Sequence, residues 1–167
     1  RAALPDEVIV HSWSSTVIRA LEGAGVRAWC ARSEPGGEGV RTARRLSASG
    51  TAATAVSDEE AVDRAAAGGT VLAGADAVGP GGAINKVGTG TLAAAASAGG
   101  GRAFLVVGDA KFVATDLPAR RPFERVPLRA LTAVITGDGP LDPDAAGRLA
   151  RRFPLHPLLE RELAALR

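Results

Sequence analysis

Residues 74–90 read Gly-Ala-Asp-Ala-Val-Gly-Pro-Gly-Gly-Ala-Ile-Asn-Lys-Val-Gly-Thr-Gly and concentrate the side chains best suited to chemistry. A short apolar run, 70–73, precedes them and an alanine-rich stretch, 91–98, follows. The order strand, glycine-rich loop, helix puts Asp76 at a strand's carboxyl end. It brings Asn85, Lys86 and Thr89 to the start of a helix. Open parallel sheets bind ligands outside the carboxyl ends of their strands, and helix N-termini favour anions. One acid, one ammonium and several free backbone N–H groups around a crevice suit a sugar phosphate. Asp76 then reads as an acid–base group, if apolar walls raise its pKa, or as a carboxylate capping loop N–H groups. Lys86 reads as a phosphate ligand beside the helix start, or as a solvated surface lysine.

A second strand end carries His11 and Ser12. His11 is either a satisfied strand-end histidine or a ligand or base. Ser12 has no Ser-His-Asp pattern around it, so helix capping is its expected task. Both common nucleotide motifs fail. After 8–11 the chain has Ser12-Trp-Ser-Ser-Thr16 and no glycine before Gly23, which is no dinucleotide fingerprint, and Gly-x-x-x-x-Gly-Lys-Ser/Thr is missing.

The elements that must position these groups alternate. Strands are expected at 8–11, 26–30, 51–56, 70–73, 104–107 and 130–136, and helices at 17–21, 38–49, 57–67, 91–98, 142–152 and 157–166. Ser57-Asp-Glu-Glu60 has the form of a capping box. Asp142-Pro143-Asp144 supplies an N-cap, an N1 proline and a first-turn acid. Residues 109–129, with Pro118, Pro122 and Pro127, read as a long connection. Repeated strand–helix alternation with short links implies right-handed crossovers and an α/β fold with a mostly parallel sheet covered on both faces.

Composition narrows the function classes. A length of 167 residues with 46% hydrophobic content fits one globular domain, 1–167, with a core. No apolar run approaches the roughly 18 residues of a membrane span, and residues 1–7 lack a secretion signal's apolar segment. A cytoplasmic location is the expectation. The single cysteine, Cys30, excludes an internal disulfide and a cysteine-based zinc cluster, and no cofactor or metal is expected. Net charge is +2, and Lys86 and Lys111 are the only lysines among 20 cations. The arginine clusters at 41/44/45, 120/121/125 and 148/151/152 are interleaved with acids and have no aromatic platform. Direct nucleic-acid binding is therefore not expected.

Several segments, taken in order, resemble a known family. They are His11-Ser-Trp-Ser-Ser-Thr-Val17, Gly74-Ala-Asp-Ala-Val78, Asn85-Lys-Val-Gly-Thr89, Lys111-Phe112 and Val134-Ile-Thr-Gly-Asp-Gly139. Together they resemble the family that unites the alpha, beta and delta subunits of translation initiation factor 2B with methylthioribose-1-phosphate isomerase and ribose-1,5-bisphosphate isomerase. The resemblance covers roughly residues 8–143. It implies a Rossmann-like three-layer domain, as in the NagB/RpiA/CoA transferase-like group, preceded by an N-terminal helical domain not found in these residues. It further implies a homodimer and a phosphorylated sugar or nucleotide as ligand.

The isomerases of this family turn an aldose 1-phosphate into a ketose with a cysteine and an aspartate. By resemblance Asp76 stands at the aspartate position. Asn85 and Lys86 match a substrate-contacting pair, with Gly88, Thr89 and His11 in the adjoining phosphate-binding set. Ser12 occupies the cysteine position, as in the initiation-factor subunits, and a hydroxyl is a poor substitute for a thiolate. The family's Glu-Ser-Arg-Pro turn is Arg32-Ser33-Glu34-Pro35 here, with its charges exchanged. Cys30 could approach the same crevice, or be a small buried hydrophobe. The expected function is initiation factor 2B-like binding of a sugar or nucleotide phosphate without catalysis, with aldose–ketose isomerisation as the alternative.

Overall fold

The computed structural model describes residues 5–155 and 157–165. Its main sheet has seven strands: β1 (Glu7–His11), β2 (Arg27–Ala31), β3 (Ala52–Val56), β4 (Thr70–Ala73), β7 (Arg102–Val106), β9 (Ala133–Thr136) and β10 (Gly139–Leu141). Their spatial order is β10-β9-β7-β4-β1-β2-β3, and only the β9–β10 pair is antiparallel. The helices are α1 (Ser15–Leu21), α2 (Glu38–Ala48), α3 (Asp58–Ala66), α4 (Thr89–Ala98), α5 (Pro143–Ala150) and α6 (Pro157–Ala165). Residue 166, expected to end the last helix, lies outside the described residues.

Strand periodicity divides the interior in two. Val8 and Val10 of β1 pack with Val17, Ile18 and Leu21 of α1 and with Ala43 and Leu46 of α2. Ile9, between them, belongs to the opposite face, with Ala61 and Ala65 of α3, Leu92 and Ala96 of α4 and Ala146 of α5. Successive strand side chains point to opposite faces, so one β-branched run serves both cores and the sheet is covered on each side. Cys30 lies fully buried among the α1–α2 side residues.

Besides β10, which lies where no strand is expected, two segments near the site differ from their expected form. Residues 74–90 are not one loop: they contain a hairpin of β5 (Ala77–Val78) and β6 (Gly82–Lys86). The proline-rich connection contributes β8 (Phe123–Pro127), which pairs antiparallel with β6 to complete a second, three-stranded sheet. The hairpin tip is pinned by Asp116, which accepts from Gly81 N at 2.9 Å and pairs with Arg125 at 2.6 Å. Short strands rich in glycine and interrupted by polar residues carry almost no alternation, and pairing partners roughly 40 residues away decide the outcome. Asn85 and Lys86 are consequently strand residues, and only Thr89 opens the helix.

Candidate functional site

The chain runs outward from β1 to β2 and β3, then returns across β1 to β4. The strand order reverses between β1 and β4, and their carboxyl ends frame the crevice where open α/β sheets place ligands. His11 and Ser12 end one of these strands and Gly74-Ala-Asp76 follows the other, so both equipped strand ends meet at the switch point. Gly74 permits the close approach: a Cβ there would fall 2.5 Å from Ser14 Oγ.

A cleft of about 200 Å³ opens here, lined by Asp76, Asn85, Lys111, Trp13 and the hydroxyl-bearing Ser14, Ser15 and Thr16. Asp76 is exposed, so the apolar wall considered for it is not present among the described residues. Its backbone N–H is tied to Ile84 O at 2.8 Å, which fixes the strand end to the hairpin. Asn85 is buried, and its amide donates to Thr89 Oγ1 at 2.9 Å while that hydroxyl donates to Lys86 O at 2.7 Å. Thr89 thus orients Asn85 and does not line the cleft itself. Lys111, in a 3₁₀ turn (Asp109–Lys111), supplies the cleft's cation. The sequence marks Lys111 only by its being one of two lysines and part of the Lys111-Phe112 segment.

Lys86 points elsewhere. Adjacent strand residues face opposite ways, and with Asn85 in the cleft the Lys86 side chain runs toward α2. Its ammonium pairs with Glu38 at 2.7 Å and also donates to the Pro35 carbonyl. Neither a solvated lysine nor a free phosphate ligand describes it in this state. The start of α4 is likewise occupied: Glu124 of β8 accepts from Gly90 N at 2.8 Å, so a protein carboxylate sits where an anion was expected.

His11 and Gly88 belong to a second cavity of about 480 Å³, whose lining includes Asp58, Glu59, Asp63, Val62 and Leu92. His11 Nε2 lies 3.0 Å from Val87 O, which only accepts, so this nitrogen carries the proton. Nδ1 is 3.1 Å from Ser33 Oγ, whose single hydroxyl hydrogen lies between it and the Ala31 carbonyl at 3.0 Å. Burial lowers the His11 pKa, against the opposing pull of its bond to Val87 and the charges of Asp58 and Glu124. It is a strand-end histidine with both nitrogens satisfied.

Ser12 departs from the capping role: Ser14 caps α1, its Oγ accepting from Val17 N at 3.3 Å. Ser12 instead adopts a left-handed φ of 61°, held by Ser33 Oγ on its N–H at 2.7 Å and by Thr42 Oγ1 on its carbonyl at 2.9 Å. Ser33, also left-handed at 63°, is fixed by Asp58, whose carboxylate accepts from Ser33 N at 2.6 Å and Glu34 N at 2.9 Å. Left-handed non-glycine residues persist where surrounding bonds over-determine them. Cys30 does not reach the crevice, and burial pushes its thiol up to about 12.

Comparison with known proteins fits this geometry. The family described as "Initiation factor 2 subunit family" matches residues 5–133. The chain belongs to that family. No curated protein matches it significantly. Among solved structures, translation initiation factor eIF-2B from Pyrococcus horikoshii OT3 is 26% identical with a TM-score of 0.74, over 83% of this chain and 58% of its own. Subunit delta of eIF-2B from A. fulgidus is 19% identical at 0.73, over 87% and 57%. 5-Methylthioribose 1-phosphate isomerase from P. horikoshii OT3 is 20% identical at 0.74, over 98% and 56%. The chain therefore spans a little over half the length of these relatives, and the last two likenesses bear on the fold alone. The tetrameric eIF2B beta2-delta2 complex of C. thermophilum, also similar at 0.71, shows that the fold occurs in oligomers. Among the described residues no helix is long and apolar enough to cross a membrane.

Proposed function

We propose that this initiation factor 2-family chain binds a phosphorylated sugar or nucleotide in the switch-point cleft, without isomerase turnover. The observation that carries this reading is the convergence of Asp76, Asn85 and Lys111 on one 200 Å³ cleft. A carboxylate and a carboxamide suit sugar hydroxyls, and an ammonium suits a phosphate. Among the described residues the cleft holds hydroxyls but no thiol. Aldose–ketose conversion moves a proton between neighbouring carbons while the attached oxygens exchange theirs, which takes at least two proton-handling groups. Asp76 supplies one. Ser12 is a weak candidate for the second, because it is not among the residues lining the cleft and its hydroxyl is a much weaker acid than a thiol.

Isomerase activity is the second reading, favoured by Asp76 and Asn85 sharing a cleft with the likeness to an isomerase fold. Titration calorimetry with ribose 1,5-bisphosphate and methylthioribose 1-phosphate, run alongside a ketose assay, separates the two. Binding heat without ketose, lost in Lys111→Ala, supports the binder. Ketose formation that disappears in Asp76→Asn establishes the enzyme instead. A homodimer in the cytoplasm completes the proposal, and sedimentation at micromolar concentration checks the dimer.

A further inference from the structure

The larger cavity has no part in phosphosugar binding. It lies between α3 and the start of α4, beside the end of β1, and encloses about 480 Å³. Pockets for small-molecule ligands begin at about 300 Å³, so this one is large enough to hold a ligand. Part of its wall is apolar: Val62 of α3 and Val87 are half-buried, and Leu92 of α4 is buried. Four carboxylates, Glu34, Asp58, Glu59 and Asp63, line the same cavity, and among the described residues no lysine or arginine does.

These acids have no cation of their own. Among the described residues none of the four takes part in an ion pair, although the chain carries 20 lysines and arginines. Arg64, the only basic residue of α3, turns away to Glu60 and the Trp29 ring. Helix polarity explains part of the set. Asp58 and Glu59 stand in the first turn of α3, where a carboxylate answers the helix's positive end, and Asp58 also accepts from Ser33 N and Glu34 N. Asp63 lies beyond that turn, and Glu34 accepts only a 3.2 Å bond from Gly36 N. The positive end of α4 is already met by Glu124. Charge in the cavity therefore disfavours an anion and favours a cation, and the apolar wall favours one that carries hydrocarbon.

We propose that this cavity binds an aliphatic polyamine, its ammonium groups on the carboxylates and its methylene chain over Val62, Val87 and Leu92. Glu59 and Asp63 are four residues apart, so they share one helix face about 6 Å apart along the axis, a spacing that a tetramethylene diamine unit spans. A compact metal ion would leave the apolar wall bare, and an anion would meet four like charges. The site is separate from the switch-point cleft and stands or falls independently of the phosphosugar reading.

The test is calorimetric titration of the chain with spermidine and with hexaamminecobalt(III) at physiological ionic strength. The two cations carry equal charge, and only spermidine has a hydrocarbon chain. Spermidine should saturate a single site and bind about tenfold tighter or more, the effect of roughly two buried methylene groups. The double variant Glu59→Gln/Asp63→Asn should weaken spermidine binding about fivefold or more. Both side chains are exposed, so circular dichroism should show this variant folded. Absence of spermidine binding, equal affinity for the cobalt complex, or spermidine affinity unchanged in the double variant would overturn the proposal.

Discussion

The Lys86 ammonium lies 2.7 Å from Glu38 Oε1, and the two partners are buried unequally: 4% of the lysine side chain is exposed against 29% of the glutamate's. The pair joins the small sheet to the first turn of α2 and holds the 33–37 segment down through the Pro35 carbonyl.

Unequal burial makes the two halves of this pair unequal in consequence. Removing Glu38 leaves a buried ammonium with only the Pro35 carbonyl as partner, and breaking a buried pair in this way costs about 3 kcal/mol. Removing Lys86 leaves a carboxylate that is 29% exposed and whose buried, unpartnered Oε2 can turn toward water. We expect Glu38→Ala to lower unfolding stability by about 3 kcal/mol and Lys86→Met by about 1 kcal/mol or less, the methionine filling the lysine's apolar path. Urea denaturation of the two single variants and the double variant measures both costs and their coupling. Equal losses would mean that the pair is hydrated in solution.

His11 gives the fold a pH dependence of defined sign. Its folded pKa lies below the unfolded value near 6.5 because burial disfavours the imidazolium. Between those two values the unfolded chain binds the extra proton. The stabilisation is therefore complete above about pH 6.5 and declines as pH falls from there toward the folded pKa. Ser33 softens the loss, since its hydroxyl can turn to Ala31 O at 3.0 Å and accept from a protonated Nδ1. His11→Gln keeps a donor for Val87 and cannot titrate. Its stability should fall less than the wild type's between about pH 7 and about pH 5 in parallel urea melts.

Asp58 is the fixed point of the crevice's left-handed turns. One carboxylate binds Ser33 N and Glu34 N, Ser33 Oγ holds Ser12 N, and Ser12 carries the strand end into α1. Charge-assisted bonds of this kind contribute about 1.5–3 kcal/mol each. Asp58→Ala should destabilise by about 2 kcal/mol, and Ser33→Ala should add less in that background than in the wild type, as members of one network do. Additive losses in a double-mutant cycle would show that the two act independently.

How much of this was legible in the sequence follows from which interactions are local. Thr70-Val-Leu-Ala73 reads as a strand and is one, fully buried, and Ser57 and Asp142 announce helix starts that the structure bears out through bonds to Glu60 N and Ala145 N. The hairpin inside 74–90 was not legible, because its third strand is supplied by residues 123–127. The same long-range pairing turned Lys86 away from the crevice and brought Glu124 to the start of α4. Asp76 and Asn85 share the cleft, and strand end and motif were enough to bring them together. Lys86 does not join them, since one residue of strand register decides its side.

Gly88 can be probed with a single methyl group. It precedes α4 with φ at +99°, a conformation that side chains rarely adopt, and a Cβ there would sit 3.0 Å from His11 Cε1. Gly88→Ala must therefore strain the backbone and press on a buried ring that Val87 and Ser33 hold from either edge. Strain of this type costs about 1–3 kcal/mol. Pairing it with His11→Ala separates the two contributions. The backbone cost persists, and the steric part vanishes with the ring. Gly88→Ala should cost measurably more in the wild type than in the His11→Ala background in matched denaturant titrations. An equal cost in both backgrounds would assign the whole effect to φ and leave the His11 contact without energetic weight.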